Sequence, residues 1–399
     1  MTVAPDTRGR PRRGMSSRPI RLLHVITTLS TGGAEVNLYK LLSTIDHRRF
    51  ACDVISLTNI GPIGDRIRAL GVPVQSLGLR RGRPNPAGIL RLAGLLRRRR
   101  PDLVQTWMHH ADLIGGLATL LAGRIPVVWN VQLGSLVPEG TSRLTRLTVR
   151  ACVALSSKVP RKIICNSEAG RQLHASLGYP APRMTVIPTG FDVSTFRPDP
   201  GSRLALRREL ALAPGTPLVG LVARFDPYKD HQTFVDAARR IAAARADVHF
   251  VLCGDGVTGE NRELAGWVRA AGLQGRAHLL GRRDDVQRVH AAVDLACSSS
   301  LGEGFPNVIG EAMACGVPCV VTDVGDSASL VADTGRVIPP RDPRALADAC
   351  LALLEDDDER LRLGCAARRR IEQQFALPVM AAKYEAVYEE TVDRVRNRR

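Results

Sequence analysis

The chain has 399 residues, of which 44% are hydrophobic and 24% charged, and a net charge of +17. That balance belongs to a globular protein large enough for two α/β domains. No run of eighteen apolar residues occurs, which argues against a membrane-spanning helix. The nine cysteines are scattered without the paired spacing of a zinc site, as in a protein of a reducing compartment.

Met1 to Ser17 is rich in Arg and Pro and has no apolar stretch, so residues 1–18 are expected to be a disordered basic arm, not a secretory signal. Arg21 to Ile26 reads as a buried strand. Gly32-Gly33-Ala34 then opens a helix running to about Ser43. Glycines at such a turn let the backbone approach a phosphate while helix amides face it. Further strands are predicted at 50–57, 72–77, 102–106, 126–131, 161–165 and 184–188, with helices between most of them. Thr106-Trp107-Met108-His109-His110-Ala111-Asp112 follows one strand and leads into a helix over Leu113–Leu121. This puts two histidines at a strand's carboxyl end. Between Gly140 and Lys162, Leu144, Leu147, Ala151, Ala154 and Leu155 form an apolar helical stripe among Arg143, Arg146 and Arg150. Such a helix suits either an anionic bilayer or the face of a sheet.

Pro188-Thr189-Gly190-Phe191-Asp192 through Gly201 is the best linker in the chain. A second alternating series follows, with strands at 217–223, 247–252, 276–280, 294–298, 318–321 and 335–338. Strands alternating with helices imply parallel, doubly wound sheets, which bind ligands at the strands' carboxyl ends. Arg224 and Lys229 lie five residues apart after the first strand of this series and can both reach one diphosphate. Cys253-Gly254-Asp255-Gly256 is a glycine turn after the next strand, and Arg282 and Arg283 follow Gly281. The most informative segment is Glu303-Gly304-Phe305-Pro306-Asn307-Val308-Ile309-Gly310-Glu311. An acid on a loop, a helix start with unpaired amides and a second acid one turn inside suggest a nucleotide-sugar site. Asp356-Asp357-Asp358 is the one match to an Asp-x-Asp metal motif, and it reads as a solvated charge run. A last helix is expected from Val379 to about Val395.

The Glu303–Glu311 segment, with Ala-Cys-Gly-Val-Pro after it, resembles the signature of retaining glycosyltransferases of family 4, which have the GT-B fold. The resemblance spans about residues 20–395. It implies an α/β protein of two Rossmann-like domains facing across a cleft: an acceptor-binding domain over 19–188, a donor-binding domain over 189–378, and a terminal helix, 379–399, crossing back to the first. It further implies His110 and Glu303 at the reaction centre, with His110 matching better than His109. Gly32, Gly33, Arg224, Lys229, Phe305, Pro306, Asn307 and Val308 would lie on the donor diphosphate and Glu311 on the ribose. Gly254, Asp255 and Arg282 are candidate nucleotide contacts. Thr189 stands where the family often has Asn, which leaves a contact by that residue in doubt. No metal or cofactor is expected, the nucleotide sugar being a substrate. The segments Trp-Met-His-His-Ala-Asp-Leu-Ile-Gly-Gly and Asp-Val-Gly-Asp-Ser look most like polysaccharide and O-antigen assembly enzymes. The implied activity is transfer of a hexose or N-acetylhexosamine from a UDP- or GDP-sugar to a lipid-linked or other glycan acceptor. A nucleotide-sugar 2-epimerase of the same fold, or a nonenzymatic nucleic-acid or carbohydrate-binding protein, are the alternatives.

The charge is lopsided. Residues 1–190 hold 28 Lys and Arg against 9 Asp and Glu, whereas residues 191–399 hold 28 against 30. A basic first half, with Arg80, Arg81, Arg83 and Arg97–Arg100 adding to one face, suits an anionic membrane surface. Nucleic acid is the weaker partner, since aromatics are 4% and no zinc-finger or RNA-recognition pattern accompanies the charge. The expected location is cytoplasmic, peripheral on the inner face of the cell membrane.

Overall fold

The computed structural model describes residues 18–80, 86–132 and 142–397. The arm over 1–17, Arg81 and Arg83 of the basic face, and the start of the helix expected from Gly140 lie outside the described residues. Among those residues the strands form two wholly parallel sheets. The first has the order β3-β2-β1-β4-β5-β6-β7 and the second β10-β9-β8-β11-β12-β13. The first comprises β1 (Ile20–Ile26), β2 (Phe50–Ser56), β3 (Val74–Ser76), β4 (Leu103–Trp107), β5 (Val127–Val131), β6 (Lys162–Cys165) and β7 (Met184–Val186). The second comprises β8 (Leu218–Val222), β9 (His249–Cys253), β10 (Ala277–Leu279), β11 (Leu295–Ser298), β12 (Cys319–Thr322) and β13 (Arg336–Ile338). Central strands such as β4, β5, β11 and β12 are buried at every residue. Burial on both faces explains why they are largely apolar without the alternation of a half-exposed strand, and the polar residues they do carry, such as Gln105, Thr106 and Asn130, are buried too.

Helices α1 (Gly33–Leu42), α2 (Pro62–Ala69), α3 (Pro86–Arg99), α4 (His109–Leu121), α5 (Arg143–Ser156) and α6 (Glu168–Ser176) accompany the first sheet. The second is accompanied by α7 (Pro200–Glu209), α8 (His231–Ala244), α9 (Arg262–Ala270), α10 (Val286–Ala292), α11 (Asn307–Ala314), α12 (Ser327–Val331), α13 (Pro343–Glu355) and α14 (Asp357–Arg370). Each sheet starts in its middle, runs outward for three strands, then crosses back past its first strand. The connections therefore diverge between β1 and β4 and between β8 and β11, opening a crevice at those carboxyl ends. Asp294 fixes the second pair at its other end: its carboxylate accepts from the Leu218 N–H at 2.8 Å and from the buried Arg207 at 2.8 Å.

The chain crosses between the sheets twice. Phe191 and Ala376 pair across these passages, with Phe191 N–H donating to Phe375 O at 2.8 Å and Leu377 N–H to Phe191 O at 3.0 Å. Beyond them α15 (Leu377–Arg396) lies on the first sheet, burying Met380, Tyr384 and Tyr388 in the core that holds Leu22, Phe50 and Trp107. Tyr384 stacks on Trp107 and its hydroxyl accepts from Asn130 Nδ2 at 2.7 Å.

Two local expectations need correction, and a third gains a role. The helix after β4 starts at His109, not Leu113, because Met108 takes φ +73 and turns the chain directly from strand into helix. The helix expected over 140–162 is described as Arg143–Ser156, and its buried face is Thr148, Val149, Cys152 and Ser156. The leucine stripe read from the sequence is not that face. The acidic run at Asp356–Asp358 is exposed, yet it has a job: Asp356 Oδ1 caps α14 by accepting the Glu359 N–H at 2.8 Å, with Asp357 and Asp358 in the first turn.

Candidate active site

Most of the residues singled out in the sequence come from the loops that follow β1, β4, β8 and β11, the four strands flanking the two switch points; Gly254 and Asp255 follow β9, and Arg282 follows β10. Between the sheets lies a cavity of about 420 Å³. Thr27, Gly33, Met108, His110, Asn166 and Thr189 line it from one side, and Gly304, Phe305 and Asn307 from the other. Three buried polar atoms on this wall, Thr27 Oγ1, Asn166 Oδ1 and Asn307 Oδ1, have no hydrogen-bond partner among the described residues. Each orphan costs about 1–3 kcal/mol, and two of the three are amide oxygens that can only accept, so the wall suits a ligand rich in hydroxyl groups.

Gly33 stands at the start of α1, and a Cβ added to it would meet nothing within 4 Å. The backbone has no internal need for glycine at this position, and the space in front of it belongs to the cavity. Gly32 is extended, with φ −144, and does not line the cavity. Met108, by contrast, is a non-glycine residue with positive φ, a conformation costing on the order of 1–3 kcal/mol. It is held by its N–H on Asn130 O at 2.9 Å and by the Asp112 N–H on its own carbonyl at 2.9 Å. The helix it opens points the two adjacent histidines in directions roughly 100° apart. His110 faces the cavity. His109 is buried, its Nε2 3.2 Å from Nε2 of the buried His174, and desolvation pushes its pKa down to about 3. His109 is therefore a neutral core residue.

On the second domain the ammonium of Lys229 is ion-paired with Glu303 Oε1, which also accepts from Ser300 Oγ at 2.7 Å. Ser299 Oγ ties the two loops together by donating to the carbonyls of Lys229 and Asp230, both at 2.9 Å. The expected separate roles for Lys229 and Glu303 thus begin from a shared contact. Arg224 is exposed and bonds Asp226 Oδ2 through Nε at 3.0 Å. Phe305 and Asn307 line the cavity, whereas Pro306 and Val308 do not; Pro306 is the residue just before α11. Glu311 lies one turn inside α11 with Oε2 3.7 Å from Nε2 of His290, a buried histidine whose ring nitrogens have no hydrogen-bond partner among the described residues. Gly254 packs against the backbone before Arg224: a Cβ there would lie 2.1 Å from Ala223 O. Close packing accounts for that glycine. Asp255 and Arg282 form an exposed pair 4.0 Å apart.

Two residues that the sequence did not single out hold the cleft together. Lys40 on α1 donates to Gly190 O at 3.0 Å and lies 5.5 Å over the Phe191 ring; burial lowers its pKa against the opposing pull of Glu311 and Asp192. Asp326, the second aspartate of the Asp-Val-Gly-Asp-Ser segment, crosses to the other domain. Its carboxylate accepts the Glu168 and Ala169 N–H groups at 2.7 and 2.8 Å, at the start of α6. Its own N–H donates to Gly304 O at 3.2 Å, and a Cβ on neighbouring Gly325 would come 2.2 Å from Glu303 O. Asp326 therefore links the Glu303 loop to the first domain.

Two doubly wound domains with their switch points face to face, and a final helix returning to the first, define the GT-B glycosyltransferase fold. The family described as Glycosyltransferase Family 4 matches residues 31–195, and Glycosyl transferases group 1 matches residues 216–356. The chain thus carries a domain of each of these two glycosyltransferase families, one after the other. Among its relatives is the D-inositol 3-phosphate glycosyltransferase of Nocardia farcinica, 34% identical over 220 residues, a match spanning 53% of this chain and 48% of that enzyme. The UDP-Gal:alpha-D-GlcNAc-diphosphoundecaprenol alpha-1,3-galactosyltransferase of Escherichia coli is 25% identical over 84% of this chain and 88% of its own. In fold, the chain is similar to Anabaena HepE in complex with UDP, with a TM-score of 0.80 at 24% identity over 93% of this chain and all of that one.

Proposed function

We propose that the protein is a retaining, metal-independent glycosyltransferase that moves a hexose or N-acetylhexosamine from a UDP- or GDP-sugar to a lipid-linked or other glycan acceptor in cell-surface polysaccharide assembly. The observation that carries this reading is the lining of the cleft. Three orphaned polar atoms, His110 and the open face of Gly33 meet the Phe305–Asn307 helix start, with the Lys229–Glu303 pair held beside it. In this reading the second domain holds the donor. The start of α11 and the cations Lys229 and Arg224 stabilise charge on the departing diphosphate, Glu311 binds the ribose, and Glu303 and His110 position the reacting sugar. The transition state is oxocarbenium-like, so fixed dipoles and positioning supply the rate. Membrane attachment is peripheral, through the basic first domain; no helix among the described residues is long and apolar enough to cross a membrane. The E. coli relative acts on a diphosphoundecaprenol-linked sugar, and HepE was crystallised with UDP, which puts UDP-hexoses and polyprenyl-linked acceptors first in the assay.

The test crosses UDP-Gal, UDP-Glc, UDP-GlcNAc and GDP-Man with lipid-linked mono- and disaccharides, with and without EDTA, and reads the product's anomeric configuration by NMR. The expected result is acceptor-dependent transfer with the donor's configuration kept and no loss in EDTA. Donor converted without any acceptor would make the protein an epimerase. Absence of any thermal shift with saturating UDP and GDP would remove the nucleotide site altogether.

A further inference from the structure

A second cavity, of about 580 Å³, opens in the first domain beside the cleft and shares Thr27 and His110 with it. Its size is that of a small-molecule site, but its walls differ from those of the cleft. They are largely aliphatic, with Leu79, Ile89, Ile114, Leu117, Leu144 and Leu147 prominent, and Arg80 also on the lining. The apolar stripe of α5 explains how this space arises. The helix is held by Thr148, Val149, Cys152 and Ser156, while Leu144, Leu147 and Ala151 turn to the cavity. Leu147 remains 63% exposed there, and Leu90 on neighbouring α3 is 65% exposed. Arg143, Arg146 and Arg150 stand on the solvent side of the same helix. Apolar walls, exposed leucines at the edge and cationic side chains on the same helix suit a hydrocarbon joined to an anionic head.

We infer that this cavity takes the hydrocarbon of the acceptor, an isoprenoid or acyl chain, while the sugar it carries reaches the donor past His110. The inference rests on the glycosyltransferase reading of the cleft. Continuity at Thr27 and His110 selects this occupant: a ligand filling the cavity emerges at the reaction centre. The cavity therefore sets which acceptor is used, through length and shape of the aglycone, and leaves donor choice to the second domain.

The experiment measures kcat/KM for one acceptor sugar carried on methyl, butyl, octyl, farnesyl and longer polyprenyl aglycones, in detergent and on phosphatidylglycerol vesicles. Efficiency is expected to rise roughly fourfold per buried methylene over the first few carbons, then level off once the cavity is full. Leu117→Trp and Ala151→Phe, each checked for an unchanged thermal shift with UDP, are expected to bring the octyl-to-methyl ratio in detergent toward one. Leu361→Trp, on exposed α14, should keep the ratio. Equal efficiency for all aglycones would overturn the cavity's role while leaving the transferase intact. So would a length preference that survives both filling substitutions, or one that exists only on vesicles. Donor turnover with no transfer to any acceptor would instead overturn the underlying reading.

Discussion

Replacing Glu303 by Gln separates two things that the Lys229–Glu303 pair does. Both side chains are mostly buried, at 21% and 10% exposure, and Ser300 Oγ holds the carboxylate at 2.7 Å. Glutamine keeps the shape and an acceptor for Ser300 but removes the charge that competes with a diphosphate for the Lys229 ammonium. UDP binding is therefore expected to tighten, by about 1 kcal/mol or roughly fivefold, the upper range of a partly exposed ion pair. Transfer is expected to fall, because Glu303 no longer fixes the sugar or Lys229. Losing one such preorganised group costs about 2.7–4 kcal/mol, or a factor of 10²–10³ in kcat. Lys229→Ala should lose a similar factor in kcat, while also weakening UDP and leaving the mostly buried Glu303 without its cationic partner. Isothermal titration with UDP and single-turnover transfer measure the two effects separately. A structural ion pair gives a different pattern: both variants would lower thermal stability, with transfer staying within threefold of wild type. That result would refute the assignment.

Gly33→Ala is expected to raise stability by about 0.4–1 kcal/mol, since its Cβ meets nothing, yet to raise the donor KM at least tenfold; an unchanged KM means no ligand approaches there. Gly310→Ala places a Cβ 2.0 Å from the Phe191 ring and should cost about 1–3 kcal/mol by overpacking, measured as a lower urea midpoint. Asp326→Ala removes two charge-assisted hydrogen bonds to α6, each on the order of 1.5–3 kcal/mol. It should cut kcat/KM for transfer by tenfold or more while UDP affinity changes less than twofold; an equal loss of UDP binding would show that it supports only the donor loop. Stability should fall as pH drops below about 6.5. His24 and His109 are held neutral with pKa values near 3, and His174 is lowered too, all by burial, so the unfolded chain takes up their protons first. Buried Asp112 is raised and acts in the opposite sense, but it is one group against six histidines, since burial lowers His231, His249 and His278 as well. Urea titrations at pH 7.5, 6 and 5 check this, and a flat profile contradicts it.

What the sequence shows and what it hides follow from the range of the interactions involved. The central strands were legible because burial on both faces makes each one largely apolar without alternation. The glycine and proline punctuation around α11 likewise marks a helix whose ends depend on neighbouring residues only. The loops after β1, β4, β8 and β11 could be chosen as site-bearing because doubly wound topology makes every such loop face one crevice. The Lys229–Glu303 contact is different. Each residue was marked, but 74 positions separate them, and they meet only because β8 and β11 are neighbours in the sheet. Asp326 was hidden further, since its partners lie 157 and 158 positions away on the other domain, and an acid before a helix looks like an ordinary cap. The α5 stripe stayed open in the sequence for a related reason. Periodicity locates an apolar face but not the surface beneath it. Here the helix is seated on small residues, Thr148, Cys152 and Ser156, that allow close approach to α4. The larger leucines are left for the cavity, so the side with most hydrocarbon is the side the fold itself does not consume.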